Sequence, residues 1–211
     1  EGLREYIKDY RARKSEFDYE FDGIVIKVDS LGTQAVLGAT AKAPRWALAF
    51  KLPPEEQTTK LLDIEISIGA AGSATPFARL EPIFVGGVTV STATLHNEDQ
   101  VRAKDVRPGD TVIVRRAGEV IPEVVGPVLG KRPPNLPKWE FPKVCPSCNA
   151  KLSREFGEAR HRCTNYFCPR QVRGRVEHFS QRTAMDIEHL GEQTIDLFIN
   201  KQLMRDVGDL Y

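Results

Sequence analysis

The sequence lacks any apolar run close to the roughly 20 residues that a membrane-spanning helix needs, which excludes such a helix. Its first five residues, EGLRE, show neither an initiator methionine nor the charged-then-apolar pattern of a secretory signal. The 211 residues are 41% apolar and 28% charged, a composition that excludes disordered and collagen-like chains. We therefore expect a globular, cytoplasmic segment of a longer protein that has no membrane partner.

Cysteine is absent outside a single stretch of 24 residues. The four cysteines form two short-spaced pairs, Cys145 with Cys148 and Cys163 with Cys168, and such pairs present thiolates to one tetrahedral zinc ion. A disulfide framework is the weaker alternative, because no secretory signal accompanies these residues. Four thiolates complete the shell, so the zinc should stabilise structure without binding a reacting water. His161, between the two pairs, is then expected to be a surface histidine.

The net charge is only +1, but the basic residues are unevenly distributed. Residues 143–182 contain nine Lys and Arg against three acids, a local charge of +6, which leaves −5 for the remainder. Zinc held by four thiolates carries a formal charge of −2, so this segment would keep about +4. A basic segment favours contact with a polyanion, although a merely solvated basic surface is an equally open alternative.

The N-terminal and central patterns predict two structural units. Residues 1–15 predict an amphipathic helix, and two strands at 21–28 and 46–51 are expected on either side of a short helix at 30–37. Five further strands and one helix, which begins after Asn97, predict a small closed barrel such as the OB-fold. Those five strands are expected at residues 61–68, 77–85, 88–91, 111–115 and 120–129.

The C-terminal third predicts a linker followed by the cysteine segment and helices. Residues 130–142 contain four prolines and predict an extended linker. After Cys168, apolar residues at helical spacing predict a helix that packs on one face while its arginines stay hydrated. Residues 184–200 predict two short helices around Leu190 and Gly191.

Alternation along the first two strands gives each one a bulky face and a face of small residues that ends in a lysine. Lys27 ends the small face of the first strand, and Lys51 ends that of the second. Small residues beside a lysine leave room for a flat apolar ligand with an anion at one end, and two convergent lysines suit a phosphate. The alternative is that both lysines extend from a sheet edge into solvent.

Five segments together resemble the NAD-dependent DNA ligases of bacteria. They are residues 21–28 (FDGIVIKV), 42–51 (KAPRWALAFK), 75–82 (TPFARLEP), 94–97 (TLHN) and 115–122 (RRAGEVIP). The first two resemble the fourth and fifth nucleotidyltransferase motifs of that family, and the other three resemble its OB domain. The cysteines and the helices after them follow in the family's domain order, so the resemblance covers nearly the whole chain.

The resemblance implies a multidomain α+β protein with an OB-fold β-barrel at its centre. A partial nucleotidyltransferase segment, a four-cysteine zinc module and helix-hairpin-helix helices flank the barrel. The expected units are the end of an adenylation domain (1–56), the OB domain (57–130), a linker (131–142), the zinc finger (143–170) and the start of a helix-hairpin-helix domain (171–211).

The resemblance also implies contacts with cofactors and DNA. Lys27 and Lys51 are expected to contact the adenylate of NAD or of an enzyme–AMP intermediate, with Val25 against adenine and Asp22 near the reacting phosphate and Mg²⁺. A DNA-facing loop is expected to close on nicked duplex DNA, with its arginine on phosphate and its apolar residues at the minor groove. The residues of that loop are Arg116, Gly118, Val120 and Ile121. Without the resemblance, Val120 and Ile121 would be assigned to the barrel core.

The sequence departs from the family pattern at three places. Residues 69–72 read GAAG where the family usually has Gly-Arg-Thr-Gly, so we expect weaker binding on this face of the barrel. His189 stands where the hairpin motif prefers glycine, so that hairpin is discounted as a DNA contact. The nucleophilic Lys-x-Asp-Gly motif does not occur in the 211 residues.

The sequence therefore predicts part of a bacterial ligase that seals nicks through lysyl-AMP and DNA-adenylate intermediates. By itself the chain is expected to be a monomer. It should not become adenylylated, because the nucleophilic lysine is missing from its sequence. A non-catalytic OB and zinc-finger module that binds nucleic acid is the main alternative. A third alternative treats the zinc segment as a spacer whose charge serves only solubility.

Overall fold

A two-stranded sheet and two helices form the N-terminal unit in the computed structural model, which describes residues 2–13, 16–19, 21–116 and 120–211. The elements of this unit are α1 (Gly2–Ala12), β1 (Gly23–Lys27), α2 (Leu31–Leu37) and β2 (Ala47–Lys51). The hydroxyl of Ser30 accepts a hydrogen bond from the Thr33 amide at the start of α2, and Gly38 ends the helix with φ of +65°. All four predicted elements are confirmed, with α1 ending three residues before the predicted boundary.

The bulky face of this sheet is less covered than the sequence predicted. Leu48 is 64% exposed and Phe50 is 40% exposed, so within the described residues the face that should enter a core remains open. The two strands are held together by their own backbone ladder, in which Gly23 pairs with Lys51 and Lys27 pairs with Ala47. Gly23 permits this pairing, because a Cβ there would lie 2.7 Å from the carbonyl oxygen of Phe50.

Five strands, paired mostly antiparallel, close into the predicted barrel. They are β3 (Glu55–Ile68), β4 (Ser73–Val85), β5 (Val88–Thr94), β6 (Thr111–Arg116) and β7 (Glu123–Pro127). The order β3-β6-β7-β5-β4 closes because β3 also pairs with β4, and the single parallel contact joins Thr94 of β5 to Glu123 of β7. This closure confirms the OB-fold prediction. Helix α3 (Glu98–Lys104) begins at Asn97, whose side chain accepts a hydrogen bond from the Gln100 amide.

Alternate residues of these strands fill the barrel with branched aliphatic side chains. The fully buried members of this core are Leu61, Ala78, Leu95, Val112, Val114 and Val124. One charged side chain, Asp110, is also completely buried, and Arg132 binds both of its carboxylate oxygens at 2.8 Å. Strand β3 begins six residues before the predicted start, whereas β7 begins at Glu123 rather than at Val120.

The segment predicted as a linker is extended but fastened to its neighbours. Apart from a short 3-10 helix at Leu129–Lys131, residues 130–142 have no regular structure. Arg107 donates a hydrogen bond to the carbonyl oxygen of Leu136, Trp139 packs against the barrel core, and Phe141 packs against the cysteine cluster. The segment therefore lies along the surface between the barrel and the cysteine segment.

The C-terminal part contains two short strands, two α-helices and a 3-10 helix at Val207–Leu210. The strands and α-helices are β8 (Leu152–Ser153), β9 (His161–Cys163), α4 (Pro169–Ser180) and α5 (Glu192–Asn200). Val172 and Val176 of α4 pack with Leu190, Ile195 and Met204 in a small separate core. None of the helices among the described residues has the length and apolarity needed to cross a membrane.

Two sequence predictions for this part were wrong. The arginines of α4 do not all stay hydrated: Arg173 is mostly buried between Glu192 and Asp196, and Arg175 lies 4.0 Å from the centre of the Tyr166 ring. Residues 184–190 form turns instead of a helix, because Asp186 and His189 adopt left-handed φ values of +50° and +63°, which interrupt helical geometry. Only the second predicted helix, α5, is present there.

Candidate zinc centre and ligand-facing surfaces

Two tight turns bring the four cysteines together. In the first turn the Cys145 amide donates to the Ala150 carbonyl, and Asn149 adopts φ of +58°, which reverses the chain after Cys148. In the second turn the Cys168 amide donates to the Asn165 carbonyl. The four Sγ atoms all lie within 4.8 Å of one another, and among the described residues this is the one group of potential metal ligands that clusters in this way.

The sulfur geometry fits a tetrahedral zinc ion. A tetrahedron with Zn–S bonds of about 2.3 Å has sulfur–sulfur edges of about 3.8 Å. The Sγ atoms of Cys145 and Cys168 lie 3.9 Å apart, and those of Cys148 and Cys163 lie 3.5 Å apart. All four thiols are free, so the disulfide alternative finds no support. Four sulfur donors leave no position for water, and such a centre stabilises the fold without reacting.

Burial and hydrogen bonding shift the pKa values of three of these thiols, and not all in the same direction. Burial raises the pKa of Cys163 to about 12 and also raises the pKa of Cys145. Burial opposes ionisation of Cys148 as well, but the Ala150 amide and the Asn165 side chain outweigh it and lower that pKa to about 7. The Cys148 thiol therefore ionises more readily than those of Cys145 and Cys163 before a metal binds.

His161 is not the surface histidine that the sequence predicted. Its ring stacks on Phe141 with centroids 3.9 Å apart, and its Nε2 lies 2.8 Å from a carboxylate oxygen of Glu98 on α3. Arg154 pairs with Asp99 on the same helix at 2.5 Å. These contacts place His161 at the junction between the barrel and the cysteine segment, where it holds the two together.

The cysteine segment continues the barrel sheet directly. Strand β9 pairs with the start of β4, and the Cys163 amide donates a 2.8 Å hydrogen bond to the carbonyl oxygen of Gly72. Gly72 has φ of +78°, and a Cβ there would overlap the carbonyl oxygen of Cys163. Gln171 of α4 donates to that same Cys163 oxygen. These joining residues were not predicted from the sequence, although the second glycine of the GAAG turn is a signal that could have identified one of them.

The two lysines of the N-terminal sheet share one face. In the antiparallel register Lys27 lies opposite Ala47 and Lys51 lies opposite Gly23, so both point to the same side. They stand at opposite ends of that face, about 13 Å apart along the strands, so the register separates the two lysines that the sequence predicted to converge. Val25 lies between them opposite Ala49 and is 58% exposed, which leaves an open apolar floor.

Asp22 lies beside one of these lysines. The Lys51 ammonium is 2.8 Å from the Asp22 carboxylate, and this hydrogen bond raises the pKa of Lys51 above its usual value. Lys51 therefore stays protonated at neutral pH. The ion pair is solvent-exposed on both sides, so an incoming anion can reach the ammonium.

The loop expected to face DNA is largely on the surface. Val120 is 59% exposed and Ile121 is 73% exposed, so the alternative that they form barrel core is wrong. Gly118 lies outside the described residues. The Arg116 guanidinium donates to the carbonyl oxygen of Gly86, and its aliphatic part lies under that glycine. A shallow groove of about 310 Å³ runs between β5, Arg116 and residues 120–122.

Three family descriptions match consecutive parts of the chain. Residues 1–55 match the NAD-dependent DNA ligase adenylation domain, residues 58–136 match the OB-fold domain of the same enzymes, and residues 144–169 match their C4 zinc finger domain. The chain belongs to the NAD-dependent DNA ligase family. Structural zinc in this family member follows from the C4 zinc finger match together with the clustered sulfurs.

Similar proteins carry the name DNA ligase. The chain is 49% identical over 211 residues to the DNA ligase of Methylococcus capsulatus (strain Bath), covering all of this chain and 31% of that protein. It is 50% identical over 207 residues to the DNA ligase of Symbiobacterium thermophilum, covering 98% of this chain and 31% of that protein. The DNA ligase of Coxiella burnetii is 49% identical over 212 residues, which cover 100% of this chain and 32% of that protein. The chain thus spans about a third of the length of these ligases.

Proposed function

We propose that this chain acts within a bacterial enzyme that seals nicks in duplex DNA at the expense of NAD. In this proposal the chain supplies adenylate contacts, DNA contacts and a structural zinc module, and it acts as a monomer. The observation that carries the proposal is the shared face of β1 and β2, where Lys27 and Lys51 flank an open floor of small residues.

The composition of this floor suits an adenine ring. Val25, Ala47 and Ala49 present only small apolar groups, so a flat aromatic ligand can approach the sheet closely. A lysine at each end gives the ligand's phosphate a positive partner in either orientation, since ammonium groups bind phosphate as point charges. A protein that only binds nucleic acid has no need for such a face.

Asp22 and Lys51 form the polar end of the proposed site. The carboxylate holds the ammonium in place and keeps it charged, and the pair together can accept a phosphate and a Mg²⁺ ion that neutralise each other. When bound, NAD supplies the adenylyl group of the reaction. The role of Lys27 and Lys51 is to orient its phosphate and to stabilise the negative charge that develops there.

The four cysteines are inferred to be the zinc ligands. Cys145, Cys148, Cys163 and Cys168 supply four sulfurs at tetrahedral spacing, and all but Cys148 are buried. The zinc then holds β9 and the start of α4 against the barrel. We assign it no part in the chemical steps.

The exposed pair Val120 and Ile121 is inferred to contact DNA. Two branched apolar side chains at a loop tip beside a groove are suited to the minor groove, where apolar residues enter between base steps. Arg116 retains further guanidinium N–H groups for a phosphate while it holds Gly86. Replacing Val120 and Ile121 by alanine should weaken binding to nicked duplex, which fluorescence anisotropy would measure.

The central test separates chemistry from DNA binding in a full-length ligase that contains this chain. Lys27→Ala or Lys51→Ala should lower the rate of nick sealing by about 100-fold or more, because each removes a positive charge from one end of the proposed adenylate site. Affinity for nicked duplex should change by less than about threefold. Lys60→Ala, an exposed lysine on β3, is the control and should affect neither measurement.

The same test decides between this proposal and the second candidate, a non-catalytic module that binds nucleic acid through its basic segment. Equal loss of sealing and of DNA affinity in the Lys27 and Lys51 variants would favour that module and count against the adenylate site. As an additional check, the 211-residue chain incubated with radiolabelled NAD should remain unlabelled, because it contains no Lys-x-Asp-Gly motif.

A further inference from the structure

Gln171 is a buried polar side chain in the first turn of α4, where it is only 6% exposed. Its Nε2 group donates one hydrogen bond to the carbonyl oxygen of Cys163 at 2.8 Å and another to that of Asn165 at 3.0 Å. A buried amide costs free energy unless its N–H groups have acceptors, and here both N–H groups have one. The side chain is therefore fixed to the segment that begins at the third cysteine.

The segment that Gln171 binds carries the second pair of cysteines. Asn165 lies between Cys163 and Cys168, and its carbonyl oxygen also accepts a hydrogen bond from the Cys168 amide at 3.0 Å. The side-chain oxygen of Asn165 accepts a further hydrogen bond from the Phe167 amide, again at 3.0 Å. The backbone thus reverses between the two cysteines, and its course sets the direction in which each of the two sulfurs points.

The barrel holds the same segment from its other side. The Cys163 amide donates to the Gly72 carbonyl at 2.8 Å, while the Cys163 carbonyl accepts from Gln171. A Cβ on Gly72 would lie 3.2 Å from Nε2 of Gln171, so the three residues lie against one another. Cys163 is therefore fixed through both of its backbone polar groups, one by the barrel and the other by α4. Without the Gln171 amide, only the barrel contact would remain.

We propose that Gln171 is a positioning residue of the zinc centre, which holds Cys163 and Cys168 in the arrangement that the ion needs before the ion binds. Among the described residues its hydrogen bonds reach carbonyl oxygens and no sulfur, so it acts through the backbone of the ligands. Residues that orient metal ligands in this way typically change metal affinity by about 10- to 100-fold. The inference rests on the proposed zinc ligands, and it places one determinant of zinc affinity in α4, outside the segment between the cysteines.

Competition with a colorimetric chelator would measure the zinc affinity of the 211-residue chain. Gln171→Met keeps a side chain of similar length without its donors and should weaken zinc binding by about 10-fold or more. Gln171→Glu keeps the shape but sets carboxylate oxygens against two carbonyl oxygens, and should weaken binding at least as much. The matched control is Ser180→Ala, which removes a buried donor to the Leu190 carbonyl about 13 Å further along α4. It should change zinc affinity by less than about twofold.

Cobalt(II) in place of zinc gives a readout that a general loss of stability would not change. Tetrahedral coordination by four sulfurs produces strong visible absorption, which falls when water displaces a sulfur. The unmodified chain and Ser180→Ala should show this absorption in full, and Gln171→Met should show less of it per bound ion. If Gln171→Met matches Ser180→Ala in zinc affinity and in the cobalt spectrum, the role of Gln171 is wrong although the cysteines remain the ligands. If the unmodified chain lacks the four-sulfur spectrum, the proposed ligands fail and this inference fails with them.

Discussion

The structure predicts that one glycine couples the barrel to the zinc centre. Gly72 combines a left-handed backbone, φ of +78°, with a position at which a Cβ would contact the carbonyl of Cys163, one of the four proposed zinc ligands. Gly157, in the hairpin between β8 and β9, has a similar φ of +83° but nothing within 4 Å of its Cβ direction. Comparing alanine at the two positions therefore separates the cost of the backbone conformation from the cost of the contact.

The magnitudes follow from these two environments. Gly157→Ala should cost about 1 kcal/mol, the strain of an L-residue in a left-handed conformation. Gly72→Ala adds the loss of the Cys163 amide hydrogen bond, about 1 kcal/mol, and the displacement of a backbone carbonyl, about 1 kcal/mol or more. The total of about 3 kcal/mol corresponds to a fall in Tm of about 6 to 12 °C, against about 2 to 4 °C for the control.

Two measurements check this prediction on the zinc-loaded chain. Differential scanning calorimetry would give the shift in Tm, and a colorimetric chelator would report the temperature at which zinc is released. We expect the Gly72→Ala variant to release zinc at a lower temperature than the Gly157→Ala variant, because the strain at residue 72 acts on the segment that carries Cys163. Equal behaviour of the two variants would refute the argument that the barrel turn supports the metal site.

Two further predictions concern metal removal and acid. Removing zinc with a chelator should unfold residues 143–170 while the barrel core stays folded. Hydrogen exchange would show this as a loss of amide protection in residues 143–170. Protection that survives metal removal would contradict the structural role of the zinc. Arg107, followed by Arg132, lowers the pKa of Asp105, so the stability that this carboxylate contributes is present above its unfolded pKa and is lost as the pH falls below about 4. Denaturant titrations of Asp105→Asn should therefore show a weaker decline between pH 5 and pH 3 than the unmodified chain, and parallel curves would count against this assignment.

The sequence alone predicted the features that depend on a few consecutive residues. Cysteine spacing predicted the metal cluster, because two short turns can present four sulfurs with little help from the rest of the fold. Alternation placed Lys27 and Lys51 on one face, because side chains on a strand alternate regardless of what the sheet packs against. The caps at Ser30 and Asn97 are likewise properties of a few consecutive residues.

Only the tertiary structure decided which polar groups are buried and what joins the units. His161 became an interface residue because Phe141 and Glu98 arrive from distant parts of the chain. Arg173 is mostly buried because α5 folds back and places two carboxylates beside it. Val120 and Ile121 are exposed because β7 begins only after them. Burial depends on which segments meet in space, and a one-dimensional pattern of apolar and charged residues does not contain that information.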